Sequence, residues 1–307
     1  MEQLRGDDPT HVGGYRLRAR LGSGGMGAVY LAYSPGGQPL AVKVIRQEYA
    51  ASPDFRRRFA REVAAARRVQ GPYTAPVVDS DTEGAQPWLA GVYVPGPALD
   101  AVVAGHGALP VRTVLQLVAG VAEALGAIHA AGVVHRDLKP SNVLLAAEGP
   151  RVIDFGIARS ADATQLTEAG ELLGTPAYMA PEQITGDSPP GPAIDVFALG
   201  LLTHYAATGA HPYGEAAGHA LLFRIATGEP DLSGCPAELR DLVALCLSKD
   251  PAARPSPAEV IEHCRASGEA LLERATHGWL PPWAAAEATR QAELTERLPR
   301  GGAVAPS

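Results

Sequence analysis

Four residues too polar to be buried alone crowd two short apolar runs near the middle of the chain. Asp137, Lys139 and Asn142 precede Val143–Leu145, and Asp154 follows Val152–Ile153. The β-branched runs predict two short buried strands joined by a tight hairpin. Unpartnered buried polar groups cost free energy, so four of them on one hairpin need a ligand. A metal-bound polyphosphate satisfies all four. Asn142 and Asp154 would hold Mg²⁺ (or Mn²⁺), Lys139 would neutralise the oxygens in transfer, and Asp137 would orient an attacking hydroxyl.

The elements that must bring a nucleotide to this hairpin lie upstream. Tyr15 to Leu21 alternates apolar residues with arginines, the pattern of a half-exposed strand. It runs into Leu21-Gly22-Ser23-Gly24-Gly25-Met26-Gly27-Ala28-Val29, then into an apolar run to Tyr33 and a Ser-Pro-Gly-Gly turn at 34–37. Glycines 22, 24 and 27 let the backbone approach phosphates closely. A dinucleotide-binding loop has the same spacing but requires a helix directly afterwards. A β-like run returning through a hairpin follows Gly27 instead, which favours a phosphate-covering flap.

Lys43 sits inside the apolar run Leu40–Ile45 and so needs an anionic partner, unless it is an exposed strand lysine. The next helix supplies one. Ser52 is its N-cap, Pro53 its first residue, and the pattern continues to about Val69. Phe55, Phe59, Ala66 and Val69 define a core-facing stripe, and Glu62 falls on it. A glutamate on an apolar face is costly unless paired, which predicts a Lys43–Glu62 ion pair. The arginines at 56, 57, 58, 61, 67 and 68 read as a solvated face, with a phosphate dock as the alternative. Val77–Asp79 and Pro87–Val94 supply two further strands. Val111–Ala130 predicts a long apolar helix ended by Gly132.

His135-Arg-Asp-Leu-Lys-Pro-Ser-Asn142 and Asp154-Phe-Gly156 resemble the catalytic loop and metal-binding signature of serine/threonine protein kinases. Gly174-Thr-Pro-Ala-Tyr-Met-Ala-Pro-Glu182 resembles the end of a kinase activation segment, Asp195-Val-Phe-Ala-Leu-Gly200 the helix that steadies the catalytic loop, and Lys249-Asp-Pro-Ala-Ala-Arg254 the closing motif. The resemblance covers about residues 14–265, and the Gly-Gly-Met-Gly loop is similar to that of the bacterial eukaryotic-like branch. It implies an α+β bilobal fold: an N-terminal extension (1–13), a small antiparallel β lobe with one main helix (14–94), a mainly helical lobe (95–265) and a helical tail (266–307). ATP would contact Leu21, Gly22, Ser23, Gly24, Gly25, Met26, Gly27, Val29, Ala41, Lys43, Gly91, Val92, Val94 and Leu144. The Lys43–Glu62 pair would aim the lysine at the α and β phosphates, and the rigid turn Val94-Pro-Gly-Pro97 would be the hinge. Asp137 would be the catalytic aspartate, Lys139 its companion, and Thr175 the brace of both. Asn142 and Asp154 would bind metal, and Glu182 and Arg254 would form a structural ion pair. Thr164 and Thr167 are either ordinary loop polarity or regulatory phosphorylation sites docking on Arg136. The resemblance further implies protein substrates and a transient homodimer for autophosphorylation in trans. A pseudokinase scaffold is the alternative class, although such proteins lose residues like Lys43, Asp137 or Asp154.

Bulk properties exclude other classes. The 307 residues are 46% hydrophobic and 19% charged, a globular composition. A net charge of −7 argues against a nucleic-acid or anionic-membrane surface. Only three lysines occur among 26 basic residues, and two of them, Lys43 and Lys139, fall in the motifs above. Cys235, Cys246 and Cys264 show no metal-ligand spacing and fit buried thiols in a reducing cytoplasm. The N-terminus lacks a signal-peptide core, and no unbroken apolar run reaches about 18 residues. The tail breaks at Trp279-Leu-Pro-Pro-Trp283, resumes as a helix from Ala284 to Leu298, and ends in a Gly/Pro/Ala-rich stretch expected to be mobile.

Overall fold

The structure, a computed structural model, describes residues 1–155, 176–187, 190–215, 218–272 and 278–297. Strand β1 (His11–Val12) turns back at Gly13 and Gly14, both at positive φ, into β2 (Tyr15–Arg16). Strands β3 (Ala19–Gly24), β4 (Gly27–Tyr33), β5 (Pro39–Ile45), β6 (Val77–Asp81) and β7 (Trp88–Val92) form an antiparallel sheet in the order β3-β4-β5-β7-β6. The single strand expected over Tyr15–Leu21 is therefore two. The chain changes partners between Leu17, which bonds to Thr10 O, and Arg18, which bonds to Leu31 O.

Side chains alternate along a strand, so register decides which face each residue takes. Tyr30, Ala32, Leu40, Val42, Val44, Trp88 and Ala90 share one face, covered by Leu4, Val12 and Tyr15. The alternate positions pair as Val29 with Lys43, Ala41 with Gly91 and Lys43 with Leu89, which sends them to the other face. The N-terminal residues close the outer face. Asp8 accepts hydrogen bonds from the Tyr30 hydroxyl at 2.6 Å and from Arg20 at 2.8 Å.

Helix α1 (Gln47–Ala50) leads to α2 (Pro53–Ala66), whose cap is as expected: Ser52 Oγ accepts from Phe55 N at 3.3 Å, with Pro53 in the first turn. Such a cap contributes about 1 kcal/mol. The buried line of α2 is Phe55, Phe59, Val63 and Ala66. Glu62 is only half-buried beside it.

The large lobe comprises α3 (Leu99–His106), α4 (Val111–Ala130), the hairpin of β8 (Val143–Ala146) and β9 (Gly149–Val152), α5 (Pro181–Thr185), α6 (Ala193–Thr208), α7 (His219–Thr227), α8 (Ala237–Cys246), α9 (Pro257–Leu272) and α10 (Pro282–Arg297). By length and composition α4 could cross a membrane. Here it is the axis of the core: Leu117, Val118, Val121, Ala122, Leu125 and Ile128 are wholly buried, and the helix packs on α9, α6 and β9. Gly132, at φ 75, takes the chain out of it into the loop that begins at Val133. Cys235, Cys246 and Cys264 are free and buried. Helix α9 passes without a break through the boundary expected at 265/266.

Candidate active site

The loop from Val133 to Asn142 is held from beneath by Asp195, a residue of α6 that is 1% exposed. Its carboxylate accepts from His135 N at 2.8 Å, Arg136 N at 2.9 Å and His129 Nε2 at 2.7 Å. Arg136 has φ 63, a left-handed conformation that costs a non-glycine residue about 1–3 kcal/mol. Asp195 thus fixes the strained step from which Asp137 projects. The resemblance implied this bracing role, and the geometry bears it out.

Asp137 is the centre of a local network. Lys139 Nζ lies 3.1 Å from its carboxylate, and the Asn142 amide donates to its carbonyl at 2.8 Å. The Asp137 and Lys139 side chains remain 26% and 20% exposed, open to the cleft. A 3-10 turn over Pro140–Asn142 aims Asn142 back at Asp137. Ile153 N donates to Asn142 O at 3.0 Å, which ties the loop to the residue before Asp154. The buried His135 ring bridges the same parts: Asp137 N donates to Nδ1 at 3.3 Å, and Nε2 lies 3.2 Å from Ile153 O. Burial holds its pKa below the ordinary value, against the pull of Asp195 and Asp137, so the ring is neutral with its proton on Nε2.

Asp154 also adopts the left-handed region, at φ 58. Lys43 Nζ donates to its Oδ2 at 3.0 Å. Desolvation pushes the Asp154 carboxyl up, but the charge and hydrogen bond of Lys43, with the charge of Lys139, outweigh it and hold the pKa below its usual value. The side chain is 37% exposed at the cleft, so the lysine decides the direction. Among the described residues the ion pair of Lys43 is therefore with Asp154, not with Glu62. The expectation placed Glu62 on the core-facing stripe of α2, whereas Val63 occupies that line and Glu62 is half-buried beside it.

An ionised carboxylate at Asp154 and an amide oxygen at Asn142 are hard donors. They suit Mg²⁺, which uses few protein ligands and keeps waters and substrate phosphates. The residues present therefore fit a divalent cation.

Above the hairpin, the cleft face of the sheet presents Leu21, Val29, Ala41 and Gly91, all half-buried, while the Val92 side chain, paired with Leu40, takes the outer face. Below it Leu144 is half-buried between the wholly buried Val143 and Leu145. Half-buried apolar side chains above and below a gap make a slot for a flat ring. The glycine-rich turn hangs over the front, with Ser23 and Gly25 exposed and Met26 half-buried. Arg46 fastens it through bonds to Met26 O at 2.9 Å and Gly24 O at 3.2 Å. A Cβ on Gly27 would lie 2.0 Å from Val44 O, so strand packing alone demands glycine there. Gly22 and Gly24 face open space. Behind the slot, Val92 N donates to Pro76 O at 3.1 Å and Tyr93 N to Pro39 O at 3.1 Å, while half-buried Val94 leads into the turn at Gly96. Remote from the cleft, Glu182 and Arg254 form the expected buried bidentate pair at 2.6 and 2.8 Å. Thr164, Thr167 and Thr175 lie outside the described residues, as does Gly156.

Sequence reasoning missed the two left-handed residues, since a non-glycine φ leaves no compositional signal.

A model of the protein kinase domain matches residues 15–264. Among curated proteins, the chain is 48% identical over 282 residues to the probable serine/threonine-protein kinase PkwA of Thermomonospora curvata, covering 92% of this chain and 37% of that one. It is 49% identical over 260 residues to the serine/threonine-protein kinase AfsK of Streptomyces coelicolor, covering 85% of this chain and 32% of that one. The chain thus spans about a third of the length of these relatives. Among solved structures, the crystal structure of the Mycobacterium tuberculosis PknI kinase domain superposes with a TM-score of 0.67 at 31% identity, covering 85% of this chain and 98% of that domain.

Proposed function

The chain belongs to the protein kinase domain family, among bacterial eukaryotic-like serine/threonine kinases, and from that premise we propose that its cleft transfers the γ-phosphate of ATP to protein serine and threonine hydroxyls. The observation that carries this reading is the network of Asp137, Lys139 and Asn142 facing an ionised Asp154 held by Lys43. The adenine ring would enter between Val29 and Ala41 above and Leu144 below. With its amide given to Pro76, Val92 would offer the base its carbonyl, and Val94 its backbone groups. When bound at Asn142 and Asp154, the divalent cation neutralises phosphate charge. Asp137 accepts a hydrogen bond from the incoming hydroxyl and takes its proton as the oxygen attacks phosphorus and the bond to the departing ADP oxygen breaks. Lys139 neutralises the transferring oxygens. Catalysis on this account is positioning and electrostatics.

Labelled ATP with Mg²⁺ and the purified protein provide the test, following incorporation into the protein itself. Asp137→Asn and Lys43→Met should each abolish transfer while keeping the wild-type melting temperature. Turnover retained in both folded variants would remove the assignment.

The reading extends to regulation and place. Phosphorylation at Thr167, together with Thr164, would occur in trans through a transient homodimer and raise activity, with Arg136 as the phosphate dock. Mass spectrometry of freshly expressed protein checks it, and a fully active Thr164→Ala/Thr167→Ala variant would count against it. Reliance on ATP and the three free thiols both suit a cytoplasmic setting for this domain and a role in bacterial signalling.

A further inference from the structure

Helix α10 crosses the hinge from one lobe to the other, and we propose that it is a clasp that positions the two lobes for the nucleotide. Its start is anchored on the large lobe. Trp279 Nε1 donates to Ala146 O at 2.9 Å, Thr113 Oγ1 donates to Trp279 O at 3.2 Å, and Trp283 stacks on His106 with ring centroids 4.2 Å apart. Its middle meets the hinge, where Gln291 Oε1 accepts from Gly96 N at 3.1 Å. Its end reaches the small lobe: the Tyr33 hydroxyl, at the end of β4, donates to Thr295 O at 2.6 Å.

The contacts with the hinge and the small lobe come from the face of the helix that is buried on the large lobe. Ala284 and Ala288 are buried against the large lobe, and Gln291 and Thr295 continue the same stripe at helical spacing. The other face carries the exposed pairs Arg290–Glu287 and Arg297–Glu293. A helix of 16 residues is about 24 Å long, enough to bridge a hinge.

Opening the lobes about residues 92–97 would separate Tyr33 from Thr295 while Trp279, Trp283 and Ala284 held α10 to the large lobe. The Tyr33 and Gln291 bonds therefore favour one relative placement of Val29 and Ala41 over Leu144. If that placement is the one that admits adenine, losing the bonds lowers the competent fraction and raises the apparent Kd. Gln291, Thr295 and Tyr33 line neither the slot nor the catalytic network, so they are positioning residues.

The inference rests on the nucleotide-binding reading above, and its test separates the two. Deleting α10 would expose Ala284 and Ala288 and endanger folding, so point variants serve better. Tyr33→Phe and Gln291→Leu remove one donor and one acceptor, while Gln291→Glu keeps an acceptor for Gly96 N–H. Nucleotide affinity is measured with Mg-ADP by calorimetry, and hydrogen exchange is followed across residues 92–97. The double variant Tyr33→Phe/Gln291→Leu should bind nucleotide about tenfold more weakly, the loss of two ordinary hydrogen bonds. It should also exchange faster at Gly96, with its melting temperature only a few degrees lower. Gln291→Glu should restore both readouts to near wild type. Wild-type affinity and protection in the double variant, or a Gln291→Glu variant as impaired as Gln291→Leu, would overturn the clasp. Should wild type fail to bind Mg-ADP, the kinase reading falls, and exchange at Gly96 still decides whether α10 holds the hinge.

Discussion

Replacing Asp195 by alanine should loosen the catalytic loop before it unfolds the protein. Asp195 is 1% exposed and accepts from two backbone N–H groups, of His135 and Arg136, besides His129. Each buried donor left without a partner costs about 1–3 kcal/mol. The His129 side chain is 12% exposed and can turn to water, so it adds little. Release of the left-handed Arg136, strained by about 1–3 kcal/mol, offsets part of the loss. The net expectation is a destabilisation of about 3 kcal/mol for Asp195→Ala. Asp195→Asn keeps one acceptor but turns an amide hydrogen toward the other donor, so about half that loss is expected. Urea unfolding followed by circular dichroism gives the two values. Phosphoryl transfer, measured where both variants are folded, should fall further than stability does, because Asp137 projects from the released step. An Asp195→Ala protein within about 0.5 kcal/mol of wild type, with normal turnover, would refute the claim that Asp195 holds the strained loop.

Two further outcomes follow from the same geometry. Gly91 stands opposite Ala41 at the back of the slot, and a Cβ there would meet only Pro76 O, at 3.4 Å; wild type should therefore accept ATP-competitive inhibitors with a bulky aromatic group aimed behind adenine. Gly91→Thr and Gly91→Phe should lose roughly tenfold or more in potency, and equal titrations for all three proteins would place Gly91 off the pocket. His135 has its pKa held below the usual 6.5 by burial, so the folded state favours the neutral ring. Its contribution to stability is complete above about pH 6.5 and is lost as pH falls toward the folded-state pKa. Wild type should thus lose more unfolding free energy than His135→Phe between about pH 7.5 and 5, and parallel losses would contradict a neutral buried ring.

The parts of the site that were legible in the sequence are those whose partners are close along the chain. Asp137, Lys139 and Asn142 lie within one turn and a half, so their convergence needed only the hairpin that Val143–Leu145 and Val152 imply. The period of two along β5 puts Lys43 and Ala41 on one face. The partner of Lys43 was harder, because Asp154 lies 111 residues further on and reads as a metal ligand. Helix α10 was visible as a helix but not as a clasp, since Ala284, Ala288, Gln291 and Thr295 read as an ordinary solvated pattern. Its bonds go to the backbone of Gly96 and from Tyr33, and backbone partners leave no trace in composition.

Strain explains why the remainder stayed hidden. Arg136 and Asp154 both sit in the left-handed region without being glycine or asparagine, and each such residue costs about 1–3 kcal/mol. Residues so placed persist only where the surrounding structure over-determines them. Arg136 N is held by Asp195, 59 residues further on, and the Asp154 carboxylate by Lys43, 111 residues back. A local reading of either motif sees the strained residue but not its holder. Both holders come from rigid elements, α6 and β5, so the orientation of the site is a property of the core and the sheet rather than of the loops that carry Asp137 and Asp154. Substitutions that soften α6 beneath Asp195 should therefore disturb chemistry more than equal destabilisation elsewhere.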